Sequence, residues 1–296
     1  IRTWTAVNGK EVEAEFVSNE KGIVKLKLKS GKIFEVPADK LSKEDNEFIG
    51  SLAKPEGVNG PEELEEREGI TYLKGSDTPY TGKFFLLHEN RQKLGEGNYK
   101  NGKLDGLSIG WYENGKKQWE TNYKDGKEDG LVFGWHEGGQ KKVEGNIKDG
   151  KLDGLNVTWY ENGQKESEAN MKDGKWDGLL TTWHENGQKQ WESNYKDGKV
   201  DGLLVGWYEN GQKRSEGKGK DGKTEGLAVA WHENGQMKGE VNWKDGKKEG
   251  LVVAWHENGK KKAEATYKDG EKVEGSEKFW NNKDEPVDSF EEAEKE

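Results

Sequence analysis

The sequence predicts an all-β protein, an elongated antiparallel array of β-hairpin repeats with a 24-residue period that follows a small β-barrel. Tryptophan carries the period, and a leucine stands four positions before each of these tryptophans and a glutamate two positions after it. A fixed period of about two dozen residues indicates units that bury their apolar side chains against neighbouring copies. The periodic tryptophans are Trp111, Trp135, Trp159, Trp183, Trp207, Trp231 and Trp255.

Composition supports a repeat protein and argues against several other classes. Only 29% of the 296 residues are hydrophobic, while 36% are charged and 42 are glycine, which is too polar for one thick core. The 13 tryptophans and the strict period argue against disorder. A net charge of −10 argues against a nucleic-acid or anionic-membrane partner. Cysteine is absent, so no disulfide is expected.

The location of the protein is predicted from its first residues and from its hydropathy. No apolar run is long enough for a transmembrane helix. The chain opens at Ile1 with no signal-peptide pattern, which favours a mature protein whose leader has been removed. We therefore expect a secreted or cell-envelope protein, with a cytoplasmic location as the alternative.

Residues 1–49 lack the repeat and form the first predicted domain. Short segments alternate between charged and apolar side chains and are separated by glycines, a pattern typical of strands. A helical segment follows, with Ser42 at the N-cap position and Asp45 three residues later. The predicted elements of this small barrel are strands at 11–17, 23–28 and 32–36 and a helix at 42–48.

Short motifs in this segment resemble those of a known family. They include Arg2-Thr3-Trp4-Thr5, Ala14-Glu15-Phe16-Val17 and Leu41-Ser42-Lys43-Glu44-Asp45. The pattern resembles the SLA1 homology domain 1 family, which has an SH3-like fold. The resemblance implies an SH3-like barrel of a family that includes peptide-binding members, but it assigns no binding residue here.

The rest of the chain divides into three further predicted segments. Residues 50–68 contain two prolines and an acidic run, which predicts a linker with a short helix around the glutamates. Residues 69–280 form the array, comprising a divergent first unit with Leu87 in the tryptophan position, seven tryptophan-containing units, and a partial last unit with Phe279 in that position. Residues 281–296 form an acidic tail that we expect to be mobile.

One copy of the repeat, residues 106–129, reads as two strands. Leu107, Ile109 and Trp111 alternate with small or polar residues, and the return segment alternates in the same way. Asn-Gly and Asp-Gly tolerate positive φ and predict the hairpin turns. A three-residue loop pairs odd-numbered residues with odd-numbered ones, so it predicts that every apolar side chain lies on one face of a single-layer sheet. The glutamate column and a column of tyrosine or histidine are then expected on the other face.

The array resembles a known repeat family. The string Tyr195-Lys196-Asp197-Gly198-Lys199-Val200-Asp201-Gly202-Leu203, followed by Trp207-Tyr208-Glu209-Asn210-Gly211-Gln212, resembles the MORN repeat. The resemblance is closest to the variant found in bacterial YwqK-type antitoxins. It implies a stack of β-hairpins with a role in protein contacts or assembly, and an antitoxin activity as one further possibility that its name suggests.

No catalytic residue, metal site or cofactor is predicted. The five histidines share their repeat position with Tyr112, Tyr160 and Tyr208, so an amphipathic ring explains them better than a metal ladder does. Asp149 to Gly154 resembles a calcium loop, but Lys151 stands where an oxygen ligand is needed, and turn chemistry is the preferred interpretation. Every unit repeats the same glutamate beside a lysine, which favours a charged face over paired catalytic carboxylates.

The predicted function rests on the tryptophan row. Stacking of neighbouring rings within the sheet is the structural interpretation of this row, but one side of it stays uncovered, which favours a protein partner or self-assembly into an oligomer or fibre. We therefore predict a non-enzymatic scaffold. The alternatives are a carbohydrate- or envelope-binding module that stacks sugars on the row, and a toxin-binding antitoxin. The candidate binding residues are the seven periodic tryptophans, Trp111, Trp135, Trp159, Trp183, Trp207, Trp231 and Trp255, together with Trp119, Trp191 and Trp243.

Overall fold

The computed structural model describes residues 1–20, 22–52 and 57–294, and the chain divides into two compact units, Ile1–Gly126 and Lys127–Glu296. The first unit begins with a four-stranded antiparallel sheet in the order β1-β2-β3-β4. Its elements are β1 (Arg2–Thr5), β2 (Glu11–Glu20), β3 (Ile23–Leu28), β4 (Ile33–Pro37), a short 3-10 helix (Ala38–Lys40) and α1 (Lys43–Leu52). The strands and the helix expected from the sequence are all present.

The N-terminal sheet has a closed hydrophobic core. Trp4, Val24 and Leu26 are almost fully buried, and the indole Nε1 of Trp4 donates a hydrogen bond to the carbonyl oxygen of Ala14 at 3.0 Å. Ser42 caps α1 as predicted, because its Oγ accepts a hydrogen bond from the Asp45 backbone N–H at 3.1 Å. This domain is therefore built around one buried indole.

The remainder of the first unit contains the predicted linker and the first repeats. Within 50–68, the structure has a short strand, the expected helix around the glutamates, and a second strand, while residues 53–56 lie outside the described residues. The elements are β5 (Val58–Asn59), α2 (Gly60–Glu63), β6 (Leu64–Arg67), β7 (Ile70–Leu73), β8 (Gly82–Leu87), β9 (Lys93–Lys100), β10 (Lys103–Leu104), β11 (Gly106–Trp111) and β12 (Lys117–Lys124).

The second unit is one antiparallel sheet in which each strand pairs with its neighbours in sequence. Its elements are β13 (Lys127–Trp135), β14 (Lys141–Lys148), β15 (Lys151–Leu152), β16 (Gly154–Trp159), β17 (Lys165–Lys172), β18 (Lys175–Trp183), β19 (Lys189–Lys196), β20 (Lys199–Trp207), β21 (Lys213–Lys220), β22 (Lys223–Thr224), β23 (Gly226–Trp231), β24 (Met237–Lys244), β25 (Lys247–Lys248), β26 (Gly250–Trp255), β27 (Lys261–Lys268), β28 (Glu271–Lys272), β29 (Lys278–Trp280), β30 (Pro286–Val287) and α3 (Phe290–Glu294).

Two kinds of turn connect the strands. At the Asp-Gly turns, Asp149 and Gly150 have φ of 49° and 79°, and Lys148 pairs with Lys151, which defines a two-residue type I′ loop. At the Asn-Gly turns, Tyr160 N–H donates to the Gln164 carbonyl oxygen at 2.9 Å, which leaves three residues in the loop. The three-residue loop predicted from the sequence is therefore confirmed at the Asn-Gly turns, whereas the Asp-Gly turns have two residues.

A β-bulge next to each three-residue loop reverses the expected face pattern. Trp159 pairs with Lys165, but the preceding residue Thr158 pairs with Ser167, so Glu166 is an extra residue on the return strand. Beyond the bulge odd-numbered residues pair with even-numbered ones, and Val157 pairs with Glu168. The prediction that all apolar side chains share one face is wrong, because one inserted residue moves the rest of the return strand to the opposite face.

The two ends of the array depart from the regular unit. Leu87 pairs with Lys93 through the same bulge, so its placement in the tryptophan position is confirmed. At the other end, Ala263 pairs with Phe279, and Trp280 rather than Phe279 follows in the tryptophan position. The prediction for Phe279 is wrong because the last unit is one residue longer, and a fixed period cannot reveal an insertion.

The acidic tail is also more ordered than expected. β30 pairs with β29, and α3 follows with Ala293 only 1% exposed. The tail was expected to be mobile because it lacks periodicity, but its apolar residues pack on the last repeat. Residues 295–296 of the predicted tail lie outside the described residues.

Candidate binding surfaces of the repeat array

We call the side of the sheet that carries Trp135, Trp159, Trp183, Trp207, Trp231 and Trp255 in the second unit the tryptophan face. Because of the bulge, the glutamate of each repeat also lies on this face, and in every repeat of the second unit but one it pairs with a lysine three residues earlier on the same strand. Lys141 Nζ, for example, lies 2.6 Å from the Glu144 carboxylate oxygen. The expected placement of the glutamates on the opposite face is therefore wrong.

The same lysines cover the indoles of the following repeat. Lys141 Nζ lies 5.2 Å from the Trp159 ring centroid and Lys189 Nζ lies 5.5 Å from that of Trp207. Such a cation over an aromatic ring is favourable. From Trp159 to Trp255, a stretch described throughout, no ring contact joins successive indoles, so lysine replaces the expected stacking. Since the lysines occupy space over the rings, the arrangement does not favour sugar stacking along the row.

One unit breaks this pattern. Met237 stands where the other units have the lysine, and it is 37% exposed. Glu240 accordingly has no ion pair, and Trp255 has no cation over its ring, within the described residues. This unit offers a natural test of what the lysine contributes.

A row of exposed leucines runs along the tryptophan face beside the indoles. Each leucine follows a glycine with positive φ. At Gly202 the φ is 136° and a Cβ would lie 3.0 Å from Asn194 Cβ, so this position requires glycine. The leucine side chains remain about half exposed in a sheet that leaves this face open. The exposed fractions in the second unit are Leu131 50%, Leu155 51%, Leu179 42%, Leu203 39%, Leu227 51% and Leu251 48%, and in the first unit Leu107 is 40% exposed.

The histidines connect one unit to the next. His184 Nε2 lies 3.1 Å from the Trp207 carbonyl oxygen, and Tyr208 Oη donates to the Trp231 carbonyl oxygen at 2.8 Å from the equivalent position. An asparagine two residues later makes a parallel bond, as Asn186 Nδ2 donates to the Glu209 carbonyl oxygen at 2.7 Å. The interpretation of the histidines as structural rings interchangeable with tyrosine is confirmed.

We call the opposite side of the sheet the groove face. The bulge places the side chains of Trp191 and Trp243 here, not beside the periodic tryptophans, and the register of the first unit places Trp119 on the equivalent side. The prediction of one shared aromatic face for all ten tryptophans is therefore wrong. Whether any of them binds a partner stays a prediction.

A groove of 480 Å³ lies on this face between Trp191 and Trp243. Its floor is made of glycine and alanine at positions where other units carry larger residues, such as Gly239 at the position of Trp191 and Ala228 at that of Leu204. Val241 and Val252 contribute apolar side chains to the walls of the groove. Loss of side-chain volume in two adjacent units therefore creates the groove.

Other kinds of site have little support in the part of the chain that the structure describes. No group of three or more His, Asp or Glu side chains there could hold a metal ion. Across residues 1–20, 22–52 and 57–294, no helix has the length and apolar character needed to cross a membrane. Burial, together with nearby Glu166 and Glu185, raises the pKa of the Tyr160 phenol. Its hydroxyl donates a hydrogen bond to the Trp183 carbonyl oxygen, so Tyr160 has a structural role.

Hairpin repeats with two extended faces define the class of a repeat scaffold for protein interaction. The model of the SLA1 homology domain 1 family matches residues 1–56, and the model of the MORN repeat variant matches residues 104–125, 152–173, 176–197, 224–245 and 248–269. The chain thus carries an N-terminal SLA1 homology domain 1 and five matched copies of the MORN repeat variant. Both families are generally binding or scaffold modules without enzymatic activity. No curated protein matches the chain.

The matches do not distinguish the YwqK-type variant, which stays a prediction. The sequence placed the leucines on the face of the periodic tryptophans, but only the tryptophans were named as binding residues, and the groove was missed. The leucines were visible as a conserved partner of every tryptophan within this chain, yet their exposure depends on the bulge. The groove had a weaker signal, the run of Gly and Ala from Gly217 to Ala230.

Proposed function

We propose that this protein is a scaffold that binds an elongated protein partner along its tryptophan face. The observation that supports the proposal is the leucine row, six leucines between Leu131 and Leu251 that are 39% to 51% exposed. One such leucine recurs in every unit, about 10 Å from the next, since two strands separate them. Soluble proteins rarely leave a continuous apolar strip of this length exposed unless it contacts a partner.

The chemistry around the row supports a protein partner over a sugar. The leucines offer apolar contact area, and the lysine–glutamate pairs beside them offer a polar rim of alternating charge, the usual composition of a protein interface. Repetition also allows several weak contacts to act together, which raises the overall affinity without a deep pocket. Secretion or attachment to the cell envelope belongs to this proposal and is tested by fractionation of the native source.

The test uses the full chain as bait for partners from the native source. The mass and stoichiometry of the captured partner are measured on the intact complex. A triple variant should abolish this capture; it combines Leu155→Glu, Leu179→Glu and Leu203→Glu. A matched triple variant with methionine at the same positions keeps apolar side chains of similar volume and should retain the partner. Because the leucines are half exposed, circular dichroism should show that both variants stay folded.

Equal capture by the wild-type and glutamate variants would contradict the proposal. Self-assembly is a specific form of it, in which the partner is another copy. Light scattering across a concentration series separates the two, because a wild-type protein that stays monomeric at high concentration contradicts self-assembly and leaves the other-partner form standing.

A further inference from the structure

The C-terminal helix α3 shows what kind of segment the groove face accepts. Ala293 is 1% exposed, and Phe290 meets Phe279 edge-on with ring centroids 6.2 Å apart. Lys262 Nζ lies 4.8 Å from the Phe290 ring centroid and 2.9 Å from the Glu294 carboxylate oxygen. An apolar floor and a cation at its rim therefore hold a short acidic helix on the last repeat.

The groove continues from the place where α3 is bound. Val252 and Ala254 line both the small cavity beside Phe290 and the groove that extends toward Trp191. The two sites thus share the same apolar surface, and α3 covers only its C-terminal part. A groove of 480 Å³ is of the size that accommodates a large side chain and its neighbours.

Two cations directly precede groove-lining residues in sequence, Arg214 before Ser215 and Lys238 before Gly239, at the repeat position that Lys262 occupies beside α3. Arg214 and Lys238 are the bulge residues of the two preceding units, and Lys262 is that of the last full unit. Gln190 at the same position accepts a hydrogen bond from Thr182 Oγ1 at 3.2 Å, and Thr182 lies on the groove face, so side chains here can reach that face. Arg214 and Lys238 are exposed and have no ion pair among the described residues.

This cationic row is local to the groove. The equivalent bulge residues in the earlier units are Gln118, Lys142, Glu166 and Gln190, so three consecutive cations occur only from Arg214 onward. In a chain with a net charge of −10, a basic edge beside an apolar floor selects an acidic ligand. The apolar floor, the basic rim and the way α3 is bound all indicate an acidic ligand that also carries apolar residues.

We propose that the groove between Trp191 and Trp243 binds a short acidic amphipathic helix of a partner protein. Its aromatic residue and a small residue three positions later contact the groove floor, as Phe290 and Ala293 contact the last repeat. Its carboxylates pair with Arg214 and Lys238, as Glu294 pairs with Lys262. This site lies on the opposite face from the leucine row and does not depend on the function proposed for it.

The test measures binding of a fluorescent peptide with the sequence of residues 286–294 to the full chain by anisotropy. We expect saturable binding that is lost when the peptide carries alanine in place of Phe290. Arg214→Glu combined with Lys238→Glu should weaken binding about tenfold, the order expected for reversing two rim charges. The matched control is Lys142→Glu, which makes the same change at the same repeat position away from the groove and should leave affinity unchanged.

A second variant fills the groove without a change of charge. Ala228→Leu should abolish binding, and the fold should tolerate it because Leu180 and Leu204 occupy the same repeat position. The leucine-row variants should bind the peptide normally, which separates this proposal from the previous one. Absence of saturable binding, or binding that neither Ala228→Leu nor the charge reversals weaken, would overturn the proposal.

Two other occupants are distinguished by the same measurements. If Lys262→Glu weakens peptide binding more than the reversal of Arg214 and Lys238, the peptide exchanges with α3 at its own site, and the groove proposal fails. If light scattering shows a dimer that disappears on deletion of residues 286–296, the occupant is a second copy of this chain, and the proposal of a different partner protein is wrong.

Discussion

The N-terminal domain and the repeats of the second unit stabilise themselves in opposite ways. The first concentrates burial in a few side chains, and Trp4 is 1% exposed with its indole N–H hydrogen-bonded. The second distributes burial over many half-buried residues, and each of its periodic indoles is only partly covered. A single substitution should therefore be severe in the domain and mild in the array, while the array keeps large surfaces free for binding.

The contrast extends to charged groups. In the domain, Asp45 is 2% exposed, accepts a hydrogen bond from the Thr5 backbone N–H at 2.5 Å, and pairs with Arg2 at 2.8 Å. In the array, the lysine–glutamate pairs remain accessible to solvent and recur in nearly every unit. Solvent-exposed pairs contribute little individually, so the array depends on their number.

The largest effect is expected for Trp4→Ala. Removal of a buried tryptophan side chain costs about 3–5 kcal/mol, because a cavity replaces well-packed ring contacts. Hydrogen exchange should rise in peptides from residues 2–52 and stay unchanged in those from 127–294. The comparison variant Trp207→Ala removes a half-buried ring and should cost about 1–2 kcal/mol. An equal loss for both variants would show that the domain and the array do not differ in how they distribute burial.

The hydrogen bond between successive units gives the next effect. Tyr208→Phe removes the bond from Oη to the Trp231 carbonyl oxygen and should cost about 1 kcal/mol in urea unfolding. Tyr208→His should restore the stability, because His184 makes the equivalent bond to Trp207. Tyr195→Phe is the matched control, since its hydroxyl makes no hydrogen bond in the described chain, and it should be neutral; a comparable loss there would argue against the inter-unit bond.

A pH dependence is expected at the end of the array. Hydrogen bonds from Lys261 and Lys278 hold the pKa of the Glu264 carboxyl below its ordinary value of 4.5. A depressed folded-state pKa means that the interaction stabilises the fold above the unfolded-state pKa and is lost as pH falls through the folded-state pKa. The melting temperature of Glu264→Gln should therefore lie below that of the wild type at pH 7, and the difference should shrink below about pH 4.5.

The control for that measurement is Glu240→Gln, which removes a carboxylate with no ion pair in the described residues. Its difference from the wild type should be small at pH 7. A Glu264→Gln difference that stays constant from pH 7 to pH 3 would show that the ion pair is not its cause.

The smallest effect is a gain. Met237→Lys should restore both the ion pair with Glu240 and the cation over Trp255, by analogy with Lys213 beside Glu216 and Trp231. Surface pairs and exposed cation–π contacts together suggest a gain of about 0.5–1 kcal/mol, measured as a higher urea midpoint. Met237→Leu controls for the loss of methionine itself; no advantage of lysine over leucine would show that the lysines contribute nothing to stability.

The sequence alone determined the strands, the turns and the period. The strands have a local signal in the alternation at Leu107, Ile109 and Trp111. The turns have one in Asp-Gly and Asn-Gly, because backbone conformations with positive φ admit few residue types. The cap at Ser42 and the three-residue hairpin loops were predictable for the same reason. These features depend on residues that are close in sequence.

Only the tertiary structure decided which side chains share a face. One bulge residue per repeat sets the faces: Glu166 places Glu168 beside the indoles, and Gln190 places Trp191 on the opposite side. No local pattern distinguishes such a residue from an ordinary strand position. That register determines the exposed leucine row, the groove at Gly239 and the surface on which α3 packs. Because strand pairing has a period of two, a single inserted residue exchanges the faces, so the binding surfaces depend on a register that the sequence does not reveal.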